Sequence, residues 1–189
     1  MRRGFKAQCE QISKRYRKEL GIQEDEALPY SLLADHVGVR IWKPEEIPGF
    51  SKEHVKQLTV VDKNDWSAVT VSEKEKKVVI VNSSHSERRL ANDVTHEIAH
   101  LLLDHQKARL DLIEDGLLWL KSYSSEQEEE ADWLSASILL PRNGLMKVYK
   151  RTQDLETIAG IFEVSTELVR MRVNITGIIK QLQYSKKRA

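Results

Sequence analysis

His96-Glu97-Ile98-Ala99-His100 sets two imidazoles four positions apart with a carboxylate beside the first. If this segment is helical, the two rings lie about 40° and one turn apart, so both can reach one ion at roughly 2.0–2.1 Å. Glu97 sits one step round the same helix. That position suits a base acting on metal-bound water better than it suits a third ligand. A chain of this composition would contain such a five-residue pattern by chance roughly 0.02 times, so its surroundings must decide what it means.

A zinc ion doing chemistry needs a third protein ligand and an open fourth position. Cys9 is the single cysteine, so no cysteine-rich metal finger can form. His105 follows His100 by five residues, about 140° further round a helix, and is a poor third ligand. The better source is the acidic run Glu126-Gln127-Glu128-Glu129-Glu130-Ala131-Asp132. Taken alone, such a run reads as a solvated face. Here it opens an otherwise apolar helix containing Ala131, Leu134 and Ile138. Glu128 and Glu130 fall on opposite margins of that stripe, and the helical wheel does not choose between them. Asp132 does, because it lies four residues after Glu128 on the same face. It can accept a hydrogen bond from the outer nitrogen of a ligating histidine. Glu128 is therefore read as the ligand and Asp132 as the residue that orients the imidazole.

The elements that position these residues follow from periodicity and punctuation. Ser86 to Leu103 reads as a long helix. Its Ala91, Val94, Ile98, Leu101 and Leu102 gather opposite the histidines, so the apolar side meets a core and the histidine side lines a cleft. Glu126 to Leu140 reads as a helix stopped by Pro141. Upstream, Phe5 to Leu20 and Tyr30 to His36 read as helices ending near Gly21 and Gly38, and Val39 to Trp42 reads as a strand. Pro44 to Gly49 is a turn region. Gln57 to Val61, Ser67 to Val71 and Lys77 to Val81 are short β-branched runs, the last two pairing as a hairpin. Residues 106–125 read as irregular or partly helical and join the two metal-bearing helices, as a lid beside the cleft would. Residues 143–189 read as all-helical.

His96-Glu97-Ile98-Ala99-His100-Leu101-Leu102 is followed, 28 residues after His100, by Glu128-x-Glu130-Ala131-Asp132-x-x-x-Ala136-x-x-Leu139-Leu140-Pro141. This two-part pattern resembles the ImmA/IrrE family of gluzincin-like metallopeptidases. The strand Val79-Ile80-Val81-Asn82 and Arg88-Arg89 also resemble that family's approach to its zinc helix. The likeness runs over roughly residues 10–172. It implies an α+β fold: a minimal peptidase core with a short, mostly antiparallel sheet on helices over residues 1–142, then a helical, helix-turn-helix-like subdomain over 143–189. It also implies that His96, His100 and Glu128 hold zinc, with manganese as the alternative ion, and that Glu97 is the catalytic carboxylate. The residue before Ala136 is Ser135, where the family often has phenylalanine.

The chemistry so implied is peptide hydrolysis. Zinc brings the pKa of its water toward about 7 and polarises the scissile carbonyl. Glu97 takes the proton and passes it to the leaving amine. Tyr123, His85 and His105 are the candidate oxyanion donors. By the same likeness, the strand holding Val79, Val81 and Asn82 is an edge strand that binds substrate in extended form. The family resemblance points to limited proteolysis of a regulatory protein, a helix-turn-helix repressor encoded nearby. Against this stands a non-catalytic reading, in which the same scaffold binds a partner as an antitoxin or anti-repressor would. Glu97 argues against it, since a structural metal site has no use for that carboxylate.

Composition narrows the setting. The chain has 189 residues and a net charge of +1, too little for a broadly basic nucleic-acid surface. From Arg142 onward, however, basic residues outnumber acidic ones by ten to four. Leu155 to Arg170 reads as helix-turn-helix, with Arg170 and Arg172 on the second helix. Docking or packing is the expected use there, with DNA the lesser alternative. The basic residues around the first helix, Arg17 among them, read as a solvated face. Trp42, Trp66, Trp119 and Trp133 are scattered and read as core or cleft wall. No run approaches the length of a membrane span, and no apolar segment follows Met1-Arg2-Arg3, so a cytoplasmic protein is expected.

Overall fold

Helix α1 (Phe5–Glu19) turns Phe5, Cys9 and Tyr16 inward, a 4–7 spacing that keeps one face buried. Gly21 then takes a φ of 71°, a conformation open to glycine at no steric cost, and the helix stops. The computed structural model describes residues 1–73, 76–105, 111–112, 118–119 and 123–188. Helix α2 (Tyr30–His36) buries Leu33 and Ala34, then leads into strand β1 (Val39–Trp42).

Strands β2 (Ala68–Glu73) and β3 (Lys76–Val81) form the expected antiparallel hairpin, with Thr70 opposite Val79. Strand β1 joins the other side of β3 in parallel, Ile41 opposite Val79, giving the order β1-β3-β2. This corrects the sequence expectation for the substrate strand. β3 is the central strand, and its backbone hydrogen bonds are taken up on both sides. Val79 and Val81 are buried in the core. Asn82, also buried, donates from Nδ2 to the carbonyls of Lys63 at 2.8 Å and Trp66 at 3.0 Å, pinning the loop before β2. None of the three can serve as a free edge for substrate. The outer strand of the hairpin is β2.

Gln57–Val61 also departs from expectation. Ser51 accepts a hydrogen bond from the His54 backbone and starts helix α3 (Lys52–Lys56), which runs on through Gln57–Val61 as one wider π turn. The β-branched Val60 and Val61 stay exposed. Local capping decides the conformation over β propensity.

Helix α4 (Glu87–Leu102) and helix α5 (Ser125–Leu139) pack against each other, and α1 packs on α5. α4 buries Leu90, Ala91, Val94, Ile98 and Ala99. α5 starts in a capping box: Ser124 accepts from the Gln127 backbone, and Gln127 accepts from the Ser124 backbone. Between them, β4 (Asp111–Leu112) pairs antiparallel with β5 (Leu118–Trp119). The lid expected over 106–125 falls largely outside the described residues.

Helices α6 (Arg142–Arg151), α7 (Leu155–Phe162), α8 (Thr166–Thr176) and α9 (Ile178–Arg188) complete the chain. The fold is α+β, with helix predominating. Two apolar clusters meet at α5, which gives Ala131, Leu134 and Ile138 to the first and Ala136 and Leu139 to the second. Gly144 lies so close to the backbone of Glu24 that a Cβ would stand 1.7 Å from its carbonyl oxygen. Arg172, on the helix for which groove reading was the lesser alternative to docking or packing, is fully buried. It pairs with Glu10 at 2.6 Å and donates to the Leu140 carbonyl. It ties α8 to α1 and cannot reach a nucleic acid. Arg17 is likewise no part of a solvated face. It lies buried across the end of α5, donating to the carbonyls of Ile138 and Leu139.

Candidate metal centre

α4 and α5 run side by side and bring three ligand atoms together. His96 Nε2 lies 3.0 Å from His100 Nε2 and 3.1 Å from a Glu128 oxygen, which stands 3.6 Å from His100 Nε2. Three ligands spread tetrahedrally round a zinc ion at 2.0–2.1 Å would be separated by about 3.3 Å. The triangle therefore has the size a zinc ion requires. The donor set has the right chemistry too: once the imidazoles are neutral, three lone pairs converge with only a cation to reconcile them.

Each imidazole is fixed from behind. His96 Nδ1 lies 2.9 Å from an oxygen of Asp132, which sits one turn past Glu128 on α5. With Nδ1–H donating to that carboxylate, Nε2 presents its lone pair to the ion. Burial pushes the His96 pKa down, but the Asp132 hydrogen bond and charge, with the charges of Glu97 and Glu128, outweigh it and hold the group above its ordinary value. His100 is buried almost completely, unlike the cleft-lining side chain its wheel position led one to expect. The Tyr123 ring stacks on it, centroids 3.6 Å apart and planes 11° apart. Burial, with Glu97 and Glu128 nearby, pushes the Tyr123 phenol up to about 12, so it stays protonated and keeps a proton to donate.

Glu97 points from α4 toward the sheet, where its carboxylate accepts a hydrogen bond from the Thr70 hydroxyl on β2. Thr70 is buried, and nothing in the local sequence singled it out. The other two candidate oxyanion donors are placed elsewhere. His105 lies behind His100, its Nδ1 at 2.9 Å from His100 Nδ1, the nitrogen facing away from the ligand triangle. Its Nε2 faces Glu130 at 3.4 Å. Both ring nitrogens are thus engaged away from the open side of the site. His85 packs on Asp93, one turn before His96, with Nδ1 at 2.7 Å from that carboxylate. Its hydrogen-bond partner is thus Asp93, which is not a member of the triangle.

A family model described as IrrE N-terminal-like domain, of the peptidase M78 type, matches residues 51–174. That span runs from α3 through α8 and holds the whole triangle. A search of curated proteins finds no match. Among solved structures, a Mycobacterium tuberculosis transcriptional regulator superposes with a TM-score of 0.56 at 16% identity. The alignment covers 88% of this chain and 46% of the regulator, so the chain spans about half that protein's length. The likeness is one of fold.

Proposed function

Since the chain belongs to the peptidase M78 family of IrrE N-terminal-like domains, we propose that it is a zinc-dependent metalloendopeptidase that cuts a regulatory protein, a helix-turn-helix transcriptional repressor, at a limited site. One observation carries the catalytic part. Three lone-pair atoms from His96, His100 and Glu128 converge beside a carboxylate, Glu97, that is held by Thr70 and not spent as a ligand. The repressor as substrate rests on the family resemblance.

Zinc held by His96, His100 and Glu128 would supply Lewis acidity toward the scissile carbonyl and an acidified water. The remaining steps belong to the chain. Glu97 removes a proton from the attacking water and returns it to the leaving amine. Tyr123 is the oxyanion donor that fits best, since it lies against His100 and keeps its proton. Asp132 keeps His96 in the tautomer that binds metal. The extended substrate lies along β2, whose outer edge is unpaired among the described residues and whose Thr70 already touches Glu97. Residues 1–142 act as the peptidase core, and the helices of 143–189 dock the substrate. No described helix is long and apolar enough to cross a membrane, in keeping with a cytoplasmic setting.

The test is incubation of the protein with the repressor encoded beside it, with and without chelator. Cleavage that chelator stops and zinc restores is the expected result. Glu97→Gln should bind zinc as the parent does and leave the repressor intact. Equal cleavage by that variant would remove Glu97 from the role of base. Binding of the repressor without cleavage by the zinc-loaded parent would favour the non-catalytic alternative.

A further inference from the structure

Beyond the ligands and the base, the structure contains two largely buried side chains, His105 and Glu130, with no part in the chemistry above, and they extend a chain that starts at a ligand. It runs from the outer nitrogen of His100 through His105 to Glu130. The side chains of His100, His105 and Glu130 are 1%, 6% and 16% exposed, so water has little access along this path. We propose that His105 and Glu130 form a positioning relay, which holds His100 in the tautomer and ring direction that zinc binding needs. The proposal rests on the reading of His96, His100 and Glu128 as metal ligands.

The proton assignments have one consistent solution. A metal-binding Nε2 on His100 carries a lone pair, so Nδ1 carries the hydrogen. That hydrogen points at His105 Nδ1, 2.9 Å away, which must then accept. His105 is therefore the Nε2–H tautomer, and that hydrogen points at Glu130 Oε2. Reversing either link takes the lone pair from the metal side of His100.

The backbone is built to make this link. α4 ends at Leu102, and Asp104 takes a φ of 52°, left-handed and uncommon for any residue but glycine, asparagine or aspartate. The turn lets the His105 amide donate to the His100 carbonyl at 3.0 Å and folds the His105 ring back under the ligand. A histidine needed only for packing would not require a carboxylate beyond it.

The relay also explains the acidic opening of α5. Glu128 faces the ligand triangle, Asp132 backs His96 directly and Glu130 backs His100 through His105. Three carboxylates on alternate positions thereby serve one site.

The test is zinc affinity, measured on the full chain by competition with a chromophoric chelator, with circular dichroism and thermal melting as controls for folding. His105→Ala is expected to weaken zinc binding by about 10–100-fold. His105→Asn, which returns an acceptor near the Nδ1 position, should recover much of that loss. Glu130→Ala should also weaken binding, and the double variant should be no worse than His105→Ala alone, because both act through one path. Should His105→Ala not fold, His105→Asn set against Glu130→Ala carries the same comparison. Parent-like zinc affinity in folded His105→Ala or Glu130→Ala would overturn the relay, as would fully additive losses. A parent that binds no zinc would remove the metallopeptidase reading itself, and the relay with it. Tight zinc in the parent with unchanged affinity in the variants would remove the relay alone.

Discussion

The Thr70 hydroxyl on β2 donates to the Glu97 carboxylate on α4, so the proposed base is gripped by the sheet. A carboxylate left to rotate about its side chain would spend part of its time out of line with the water it must deprotonate. Thr70→Val keeps the shape and removes the donor. A hydrogen bond to a charged group contributes roughly 1.5–3 kcal/mol, so kcat should fall by about tenfold or more. Zinc affinity should be parental, because Thr70 touches no ligand. Rates within about twofold of the parent, with repressor as substrate, would show that Glu97 is aligned by something else.

Asp132 tests the other side of the site. Its carboxylate meets the outer nitrogen of His96 from an exposed position midway along α5. Removing such an orienting partner typically costs 10–100-fold in metal affinity. Asp132→Ala should therefore lose that much zinc affinity while its helix content stays parental. Glu128→Ala, which removes a ligand outright, should lose considerably more. If the two variants bind zinc equally well in chelator competition, Glu128 is not a ligand.

Much of this site was legible in the sequence because helical spacing is rigid. A spacing of four positions from His96 to His100, and of four from Glu128 to Asp132, fixes which side chains share a face before any tertiary structure is known. The helix pair and the β2–β3 hairpin were legible for the same reason. What stayed hidden depends on contacts between distant segments. Thr70 precedes Glu97 by 27 residues, and no local pattern marks it. β3 read as an edge strand because nothing in Val39-Arg40-Ile41-Trp42 says that it pairs there in parallel. Gln57–Val61 read as extended because its composition favours a strand, yet the helix begun at Ser51 carries on through it. Arg17 read as a surface charge because long basic side chains are usually solvated, and Arg172 read only as part of a docking or packing helix. Here each finds helix-end carbonyls of α5 that need donors.

Arg17 makes the strongest case for stability. Besides Ile138 and Leu139, its guanidinium donates to the carbonyls of Gln23 at 2.8 Å and Glu26 at 2.9 Å. Burial lowers its pKa to about 10, an effect that Glu24 and Glu26 only partly offset, so it stays charged at neutral pH. Arg17→Met fills the space but strands these acceptors. An unsatisfied buried polar group costs about 1–3 kcal/mol, so a total loss of roughly 3 kcal/mol is expected. For a chain of this size that lowers the melting midpoint by about 6–12 °C. A shift under about 2 °C would mean that water or a local rearrangement satisfies the carbonyls.

Cys9 offers a prediction with a defined pH window. Its side chain is fully buried on α1, and burial, reinforced by Glu10, pushes the thiol up from 9.0 to about 12. The folded chain therefore keeps this proton when the unfolded chain has lost it. Below about pH 9 both states are protonated and the group has no effect on stability. Between about 9 and 12 the unfolded state gains from ionisation and the folded state does not, so stability falls as pH rises. Cys9→Ala removes this contribution and should flatten the alkaline part of the stability curve, at the cost of a small cavity that acts equally at every pH. The thiol should also react with a disulfide reagent only as fast as the protein unfolds, because the nucleophile is the thiolate. Rapid labelling of the native protein at pH 8, measured against melting by circular dichroism under the same conditions, would show that Cys9 is reached without unfolding.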